Sequence, residues 1–152
     1  MSFNMRYTYE FTNLDTNIRM KKYIIRRKDL LYPDLSYKII GALFNVYNNI
    51  GSGYREKFYQ RAITIEFNNI NLSFIEQVYI PIKFKGKIIG KYYLDFLIDN
   101  KVVLEIKKGE IFLRKNIEQI FSYLKAKKLK LGILANFTKN GLRFKRIVNI
   151  NS

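Results

Sequence analysis

The sequence predicts an α/β domain of the α+β type, built on one mixed sheet with helices against it. Three observations lead to this prediction. Two segments with helical spacing come first, three strand-like runs follow, and a third helical segment precedes a buried strand. The predicted order is therefore α-α-β-β-β-α-β, with "GLRFKRIVNI" as a candidate for one more strand. At 152 residues, 48% of them hydrophobic, the chain can bury a core as one compact domain.

Residues 1–33 are interpreted as an N-terminal extension without an assigned function, and residues 34–152 as the domain. Within the extension, "MRYTYEF" alternates like a short strand. The segment 20–33, "MKKYIIRRKDLLYP", is basic and amphipathic. Neither feature indicates a function.

The two predicted helices at the start of the domain are separated by a glycine-rich turn. The first, "LSYKIIGALFNVYNNIG", follows Asp34 as a candidate N-cap and stops at Gly51. The second, "YREKFYQRAITIEFNNI", carries Phe58, Ala62 and Ile65 as its predicted buried stripe.

The three central strands are predicted to form a meander. In "LSFIEQVYIPIKF", Pro81 predicts an edge strand or a bulge, and "KGK" at 85–87 is typical of a hairpin turn. "IIGKYYLDFLI" and "VVLEIK" follow as strands around a turn at Asp99 and Asn100. A helix is then predicted from Arg114 to about Lys127, before the strand "LKLGILANF". Its predicted core side is formed by Ile117, Ile120, Phe121 and Leu124.

The charge balance favours a polyanionic partner. The chain has 28 Lys and Arg residues against 12 Asp and Glu residues, a formal net charge of +16. A small protein tolerates this self-repulsion best when its partner is a polyanion, so nucleic acid is the first expectation and an anionic membrane surface the second. A solvated lysine-rich surface is the alternative explanation.

The residue types that the chain lacks narrow its chemistry. It contains no Cys and no His, which excludes disulfides, thiolate sites, Ser-His-Asp hydrolysis and ordinary zinc sites. Catalysis would have to use carboxylates, Lys, Tyr or a hard metal ion bound through oxygen. The N-terminus has no signal-peptide pattern, and no apolar stretch approaches the roughly 18 residues of a membrane helix. We therefore expect a cytoplasmic protein without a membrane partner.

Two carboxylates occupy strand positions where core residues are expected. In "YYLDFLIDNKVVLEIKK", Asp95 lies in one apolar run and Glu105 in the next, with Lys107 two residues further on. Alternation in a strand places Glu105 and Lys107 on one face. With a two-residue loop, position 95 would face 104; with a three-residue loop, 99–101, it would face Glu105. We expect the three-residue loop, built on a type I turn with a bulge, which suits Asp-Asn-Lys.

Adjacent carboxylates in apolar surroundings need a cation, because burial and mutual repulsion penalise both charges. Lys107 alone could supply it, in a purely structural triad. Alternatively, Asp95, Glu105 and a nearby backbone carbonyl offer hard oxygen ligands for Mg²⁺ or Mn²⁺. Lys107 would then orient or deprotonate an attacking water and stabilise charge on a phosphate.

As an ordered series, these motifs resemble the PD-(D/E)XK nuclease superfamily, and most closely its GxxExxY branch. The first likeness is Asp95 followed by Glu105-Ile-Lys, after a helix and within a meander. The second is "GYREKFY", which places Gly53, Glu56 and Tyr59 at the spacing that names the branch. The further matches are Gln77 and "IPI" in the first strand, Gly86 in the hairpin, "QIFSYLK" with Gln119 and Tyr123, "LGILANF" and "RFKRI".

The resemblance implies a restriction-endonuclease-like core that carries a metal site. Asp95 and Glu105 would bind the metal, and Ile106 would provide its carbonyl oxygen. Lys107 would be the catalytic lysine. Glu56 would lie on the first core helix and point at the same site, directly or through a water.

The likeness covers roughly residues 34–149 and departs from the superfamily pattern at one place. The Pro-Asp pair of the superfamily's name is absent, since Leu94 precedes Asp95. Diverged members commonly lack this pair, so the departure does not by itself argue against activity.

Helical geometry adds a polar stripe beside the predicted site. Lys115, Gln119 and Tyr123 are spaced four apart, next to the buried face of their helix. On spacing alone this is a polar helix edge, whereas the resemblance places Gln119 near the metal ligands or the phosphate. Nucleic-acid contacts are predicted for Lys108, Lys115, Tyr123, Lys125, Lys127 and Lys128, the last three from the run "KAKKLK".

The sequence thus favours a Mg²⁺- or Mn²⁺-dependent phosphodiesterase of the endonuclease type, with DNA preferred to RNA as its substrate. The alternative is a nucleic-acid-binding module that keeps the fold and has lost catalysis, because the net charge of +16 would serve either function. A third interpretation is a partner-dependent subunit that docks through "RYTYEF". The sequence leaves open whether the protein is a monomer or a homodimer.

Overall fold

The structure, a computed structural model, describes residues 5–11 and 31–150. The order of elements within these ranges is β1 (Met5–Phe11), α1 (Pro33–Ile50), α2 (Glu56–Asn69), β2 (Phe74–Phe84), β3 (Lys87–Ile98), β4 (Val102–Lys108), α3 (Arg114–Lys127), β5 (Leu131–Thr138) and β6 (Gly141–Asn149). The predicted order α-α-β-β-β-α-β is confirmed, and β6 is the additional strand that "GLRFKRIVNI" predicts. Most of the basic segment 20–33 lies outside the described residues.

One six-stranded sheet organises the described elements, in the order β1-β6-β5-β4-β3-β2. Strands β4 and β5 are parallel and are connected through α3, whereas the other neighbouring pairs are antiparallel, so the sheet is mixed as predicted. The five strands of residues 74–149 form its body, and β1 extends it beside β6. The segment "RYTYEF" therefore pairs with a strand of its own chain. The division of the chain at residue 34 stays a prediction.

Helices cover both faces of this sheet. Helices α1 and α2 pack on one face, in a core that includes Leu104 and Ile106 of β4. Helix α3 packs on the other face, in a second core that includes Val103 of the same strand. Successive residues of β4 therefore alternate between the two cores, as strand geometry requires. The predicted extent of α3 and its four predicted core residues are confirmed.

Helix α1 begins earlier than predicted. Pro33 lies in its first turn, so Asp34 is inside the helix and is not the N-cap. Proline suits this place because its missing N–H has no helical partner there in any case. The predicted stop is confirmed: Gly51 has a φ of 72°, and its N–H donates to the Tyr47 carbonyl.

The buried stripe predicted for α2 is wrong at two of its three positions, since only Ala62 packs against the core. Phe58 and Ile65 are exposed. The buried residues are Tyr59, Ile63 and Phe67. Two stripes offset by one residue both contain aromatic and aliphatic side chains, so periodicity alone does not choose between them. Tyr59 can be buried because its hydroxyl donates to the Gly51 carbonyl at 2.7 Å and its ring stacks on Phe137.

Strand β2 forms one edge of the sheet, as Pro81 predicts. A register shift at Ile82 and Lys83 adds a bulge beside the proline. The tight turn at Lys85 and Gly86 confirms the predicted hairpin. No helix in the described ranges is both long and apolar enough to cross a membrane.

Candidate active site

The hairpin between β3 and β4 decides whether the two strand carboxylates meet. Its ladder runs from the pair Ile98–Val102 to the pair Phe96–Leu104, so the loop has the three residues 99–101, as predicted. One further step of the same register brings Asp95 level with Glu105. The odd loop length is therefore what makes the two carboxylates neighbours.

The type of this turn differs from the prediction. Asp99 and Asn100 both have a φ of 52°, which is the geometry of a type I′ turn and not of a type I turn. Asp and Asn tolerate positive φ better than most residues do, and the type I′ twist matches the twist of paired strands. The N–H of Lys101 donates to the Ile98 carbonyl at 2.9 Å and closes the turn.

The alternation of side chains between the two faces of the sheet is interrupted at Asp95 on β3 and at the same level on the neighbouring strand β2. On β3, Phe96 packs in the core under α1 and α2, whereas Leu94 packs in the core under α3. In a regular strand, residues two apart share a face, so the alternation is interrupted at Asp95. On β2 the same level is marked by Gln77, whose φ is 49°. The Asp95 side chain is thereby freed from either core.

Both oxygens of the Asp95 carboxylate accept hydrogen bonds. Oδ2 accepts the Ile106 N–H at 2.7 Å, and Oδ1 accepts Nε2 of Gln60, from α2, at 2.7 Å. Where the backbone pairing of β3 and β4 stops, the Asp95 carboxylate therefore takes the place of a backbone carbonyl as hydrogen-bond acceptor. Because the N–H and C=O of one extended residue point to the same side, the Ile106 carbonyl also faces β3.

The Glu105 carboxyl is less well satisfied than that of Asp95. Its Oε1 lies 3.6 Å from the Lys107 ammonium nitrogen, as expected for two residues on one strand face. Its Oε2 is buried and has no hydrogen-bond partner among the described residues. Burial, and secondarily the charge of Asp95, raise the pKa of Glu105 from 4.5 to about 8, although Lys107 opposes the shift.

The charges of the two carboxyl groups act on each other. Burial also raises the pKa of Asp95, and the Ile106 N–H and the charge of Lys107 oppose that shift. The raised pKa of Glu105 favours its protonated form at neutral pH when no cation neutralises the two acids.

A cleft of about 240 Å³ lies beside Lys107, the ion-pair partner of Glu105. Its lining residues come from the start of α2, the end of β4 and the start of α3: Glu56, Lys107, Lys108, Ile111, Leu113, Lys115 and Asn116. Asp95 and Glu105 are only 5% and 8% exposed and lie deeper. Glu56 is the first residue of α2, and its Oε1 accepts the Lys108 N–H at 3.2 Å.

The structure brings most of the predicted site residues together. Asp95, Glu105, Ile106 and Lys107 form one contiguous group, joined by the hydrogen bond and the ion pair described above. Glu56 lies in the same cleft as Lys107, together with the predicted nucleic-acid contacts Lys108 and Lys115.

Three other predictions fare differently. Gln119 is exposed and lies one helical turn beyond Lys115, so its catalytic role stays a prediction. Tyr123 is only 6% exposed and packs in the core under α3, which leaves its ring little surface to offer. The structure therefore does not support Tyr123 as a nucleic-acid contact. The exposed Lys125, Lys127 and Lys128 lie at the far end of α3, about 15 Å or more from Lys115 at 1.5 Å per residue.

Two residues of the site are absent from the sequence-based prediction. Gln60 binds Asp95, and its spacing of four from Glu56 on one helix face is a signal that could have found it. Asn116 lines the cleft and is 6% exposed. Its position next to Lys115 gives no comparable signal, because a single Asn near a helix start is common as a capping or surface residue.

The donor set suits a hard divalent cation. Asp95 and Glu105 provide carboxylate oxygens, the buried Oε2 of Glu105 lacks a partner among the described residues, and the Ile106 carbonyl points to the same side. Each Asp95 oxygen keeps a second lone pair beyond its hydrogen bond. Three or more Asp, Glu, His or Cys side chains placed to hold a metal together do not occur in the part of the chain that the structure describes. The grouped carboxylates are thus the two strand residues, and direct ligation by Glu56 stays a prediction.

The fold and the site together define a nuclease-like α/β domain with an acidic pair on two neighbouring strands and a lysine at the end of one of them. A family model of the PD-(D/E)XK nuclease superfamily matches residues 33–147. The chain belongs to this superfamily. The match confirms the resemblance at the level of the superfamily and does not test the GxxExxY branch.

The remaining comparisons add a distant structural likeness. The solved structure described as "Crystal structure of SSO0001" is similar to this chain with a TM-score of 0.47 and 16% sequence identity, over 90% of this chain and 79% of that chain. No curated protein sequence matches the chain. Membership of the superfamily implies a nucleic-acid substrate, and nucleases of this superfamily generally use divalent metals such as Mg²⁺.

Proposed function

We propose that the protein is a Mg²⁺- or Mn²⁺-dependent phosphodiesterase that cleaves DNA. The observation that carries the proposal is the meeting of two buried carboxyls beside a lysine that reaches the cleft, where one carboxyl oxygen has no hydrogen-bond partner among the described residues. In a purely structural triad, the lysine ammonium would lie where it neutralises both carboxylates. Here Lys107 contacts Glu105 at 3.6 Å and lines the cleft, and the other Glu105 oxygen has no hydrogen-bond partner among the described residues.

Each residue then has a defined task. Asp95, Glu105 and the Ile106 carbonyl hold the cation, with Gln60 fixing the orientation of the Asp95 carboxylate. The bound cation supplies Lewis-acid stabilisation of the charge that develops on the phosphate. Lys107, whose side chain is 31% exposed, orients the attacking water or a phosphate oxygen from the cleft side.

The lysines around the cleft bind the nucleic-acid backbone. Lys108 and Lys115 line the cleft together with Lys107, where they can contact the phosphates of a bound strand. DNA is the proposed substrate in preference to RNA. The cytoplasmic location, and the choice between a monomer and a homodimer, stay predictions from the sequence.

Plasmid nicking tests the proposal. We expect purified protein to nick or linearise supercoiled DNA with Mg²⁺ or Mn²⁺ and not with EDTA. Lys107→Ala should lower the rate at least about 100-fold, the range of a lost electrostatic contact to the transition state. The matched control is Lys101→Ala, which alters the other acid-x-Lys sequence, in an exposed turn beside Asp99. Unchanged cleavage by Lys107→Ala would reject the role of this lysine.

A second candidate function is metal-independent nucleic-acid binding by a protein that has lost catalysis. It is favoured by the self-contained contacts of the site, in which Lys107 pairs with Glu105 and the Ile106 N–H with Asp95. It predicts salt-sensitive DNA or RNA binding that EDTA does not change. Absence of Mn²⁺ binding to the wild-type protein would favour it over the enzyme.

A further inference from the structure

The β2–β3 hairpin extends well beyond the body of the sheet. Strand β3 pairs with β4 only at residues 96–98, but it pairs with β2 as far as Lys87. Residues 79–93, which we call the β2–β3 arm, are therefore a two-stranded ribbon, anchored where Ile80 and Tyr92 pack against the core under α3. Beyond these two residues the ribbon adds little to the core, and an isolated ribbon of this kind is only marginally stable in water.

The surface of the β2–β3 arm is unusually apolar for an exposed ribbon. Six of its large hydrophobic side chains are 43% to 67% exposed. They are Tyr79, Ile82, Phe84, Ile88, Ile89 and Tyr93. A concentration of exposed apolar groups on one element indicates a binding surface.

The charge on the β2–β3 arm identifies the kind of partner. Lys83, Lys85, Lys87 and Lys91 are exposed, and residues 79–93 contain no Asp or Glu. The Lys85 ammonium lies 5.5 Å from the ring centre of Phe84, so charge and apolar surface are interleaved. A basic ribbon without acidic residues complements a polyanion.

We propose that the β2–β3 arm lies in the major groove of double-stranded DNA and selects duplex as the substrate of the adjacent site. This inference rests on the proposed nuclease function. The major groove, about 12 Å wide, admits a two-stranded ribbon, and the seven residues 87–93 span about 23 Å, or roughly seven base pairs. Tyr93 is two residues from Asp95 on the same strand, so the base of the arm lies next to the carboxylate pair.

A second copy of the chain is the main competing occupant. Edge-to-edge pairing through β2 is opposed by three features of that strand: Pro81, the bulge at Ile82, and the exposed Lys83. Like charges would also face each other across such an interface, because the arm carries only positive charge. The same features leave a groove of nucleic acid accessible to the arm.

The test compares two variants that each lose three exposed positive charges. The arm variant is Lys83→Gln, Lys85→Gln and Lys87→Gln. The control variant is Lys38→Gln, Arg61→Gln and Lys101→Gln, whose side chains are exposed elsewhere. Affinity for a short duplex and for one of its single strands is measured by fluorescence anisotropy in EDTA at several salt concentrations, and far-UV circular dichroism checks the fold.

The expected result is selective for duplex. Losing about three phosphate contacts should lower duplex affinity at least about tenfold and reduce the slope of log K against log salt by about 2.7. Single-strand affinity of the arm variant, and both affinities of the control variant, should stay within about threefold of wild type. Equal losses in arm and control variants, or equal losses on duplex and single strand, would overturn the inference.

Two further outcomes would reassign the arm. A wild-type dimer in sedimentation that Phe84→Glu dissociates, with unchanged duplex affinity in the arm variant, would assign the arm to a second copy. Binding to phosphatidylserine vesicles that only the arm variant loses, again with unchanged duplex affinity, would assign it to a membrane surface. Wild-type cleavage together with full duplex affinity in the arm variant refutes this inference alone. Arm-dependent duplex binding without metal-dependent cleavage refutes the proposed function alone.

Discussion

Strands β3 and β4 each bring one carboxylate to the site, but the two strands treat their carboxylates differently. On β3, Asp95 accepts a backbone and a side-chain hydrogen bond and so helps to close the sheet where pairing ends. On β4, Glu105 has one weakly paired oxygen and one buried oxygen with no partner among the described residues. Asp95 thus has a structural role in the sheet, whereas Glu105 can gain a ligand role because a bound cation would neutralise its charge.

This difference between Asp95 and Glu105 explains how a buried site can still bind a cation. If both carboxyls were fully hydrogen-bonded, a cation would gain little by entering; if neither were, the strand ends would lack a partner for the Ile106 N–H. The pair therefore combines a fixed ligand with one that a cation stabilises. Substitutions should separate these two contributions.

The largest expected effect is on metal affinity, which needs both strands. In calorimetric titrations with Mn²⁺ near neutral pH, Asp95→Ala and Glu105→Gln should each weaken binding at least about 100-fold, because each removes one of two carboxylate ligands. Asp99→Asn is the matched control, since Asp99 is an exposed acid in the turn between the same strands and should leave the affinity unchanged. A Glu105→Gln protein that binds Mn²⁺ like wild type would remove Glu105 from the ligand set.

The second effect is on the stability of the protein, which substitutions of Asp95 and Glu105 should change to different extents. In EDTA, Asp95→Ala should lower the free energy of unfolding by about 2 to 4 kcal/mol, because the buried Ile106 N–H loses its acceptor and Gln60 loses its partner. Glu105→Gln should not destabilise the protein at neutral pH, because the amide replaces a group that stays protonated there. Urea denaturation measures both. Equal destabilisation by the two substitutions would contradict the contrast between the strands.

The pH dependence of stability reports on the charge of Glu105 on β4. The pKa of Glu105 is about 8 in the folded protein and 4.5 without the fold, so its contribution is fully present below about pH 4.5. As pH rises from there to about 8, the unfolded chain releases the proton that the folded chain retains, and stability falls. The raised pKa of Asp95 has the same sign.

This loss of stability should depend on Glu105 and on the absence of a cation. In EDTA, wild-type protein should lose about 2 to 4 kcal/mol between pH 5 and pH 9, given about 1.4 kcal/mol per unit of pKa shift. Glu105→Gln should flatten most of this slope, and saturating Mn²⁺ should abolish it in the wild type. A wild-type stability that rises with pH over this range in EDTA would contradict the proposed charge imbalance.

The sequence predicts the body of this fold well because its strongest signals are periodic. Helix α3 and the parallel strands around it carry their apolar residues at spacings that only one element type explains, so the extent and the core face of α3 are confirmed. Helix α2 is harder, because its stability depends on which stripe meets the sheet. The hydroxyl of Tyr59 donates to the carbonyl of Gly51 at the end of α1, a contact between two helices that spacing alone does not predict.

The candidate site is predictable where it depends on register and less so where it depends on strand irregularity. Counting the loop residues is enough to bring Asp95 level with Glu105. The change of face at Asp95 and Gln77 comes from backbone geometry, including a φ of 49° at Gln77, and an alternation pattern cannot show it. Tyr123 shows a further limit of spacing, because the polar stripe predicted for α3 includes a ring that tertiary packing buries.

The smallest expected effect concerns Gln60, which acts on the site through Asp95. Its amide donates to Asp95 Oδ1 at 2.7 Å and does not reach the cleft lining, so it is a positioning residue. Gln60→Ala should weaken Mn²⁺ binding about tenfold and lower the free energy of unfolding by about 1 kcal/mol, as is usual for the loss of an outer hydrogen bond to a ligand. Gln60→Asn is not a rescue variant, because its shorter side chain withdraws the amide from the carboxylate.

Thr64→Val is the appropriate control for Gln60→Ala. Thr64 lies one turn further along α2 and bonds to Glu76 on the exposed edge strand, away from Asp95. It should leave Mn²⁺ affinity unchanged while altering stability by a similar small amount. If Gln60→Ala changes stability but leaves Mn²⁺ affinity at the wild-type value, then Asp95 is oriented by the Ile106 N–H alone. Asp95 on β3 would then bind the metal without needing the hydrogen bond from α2.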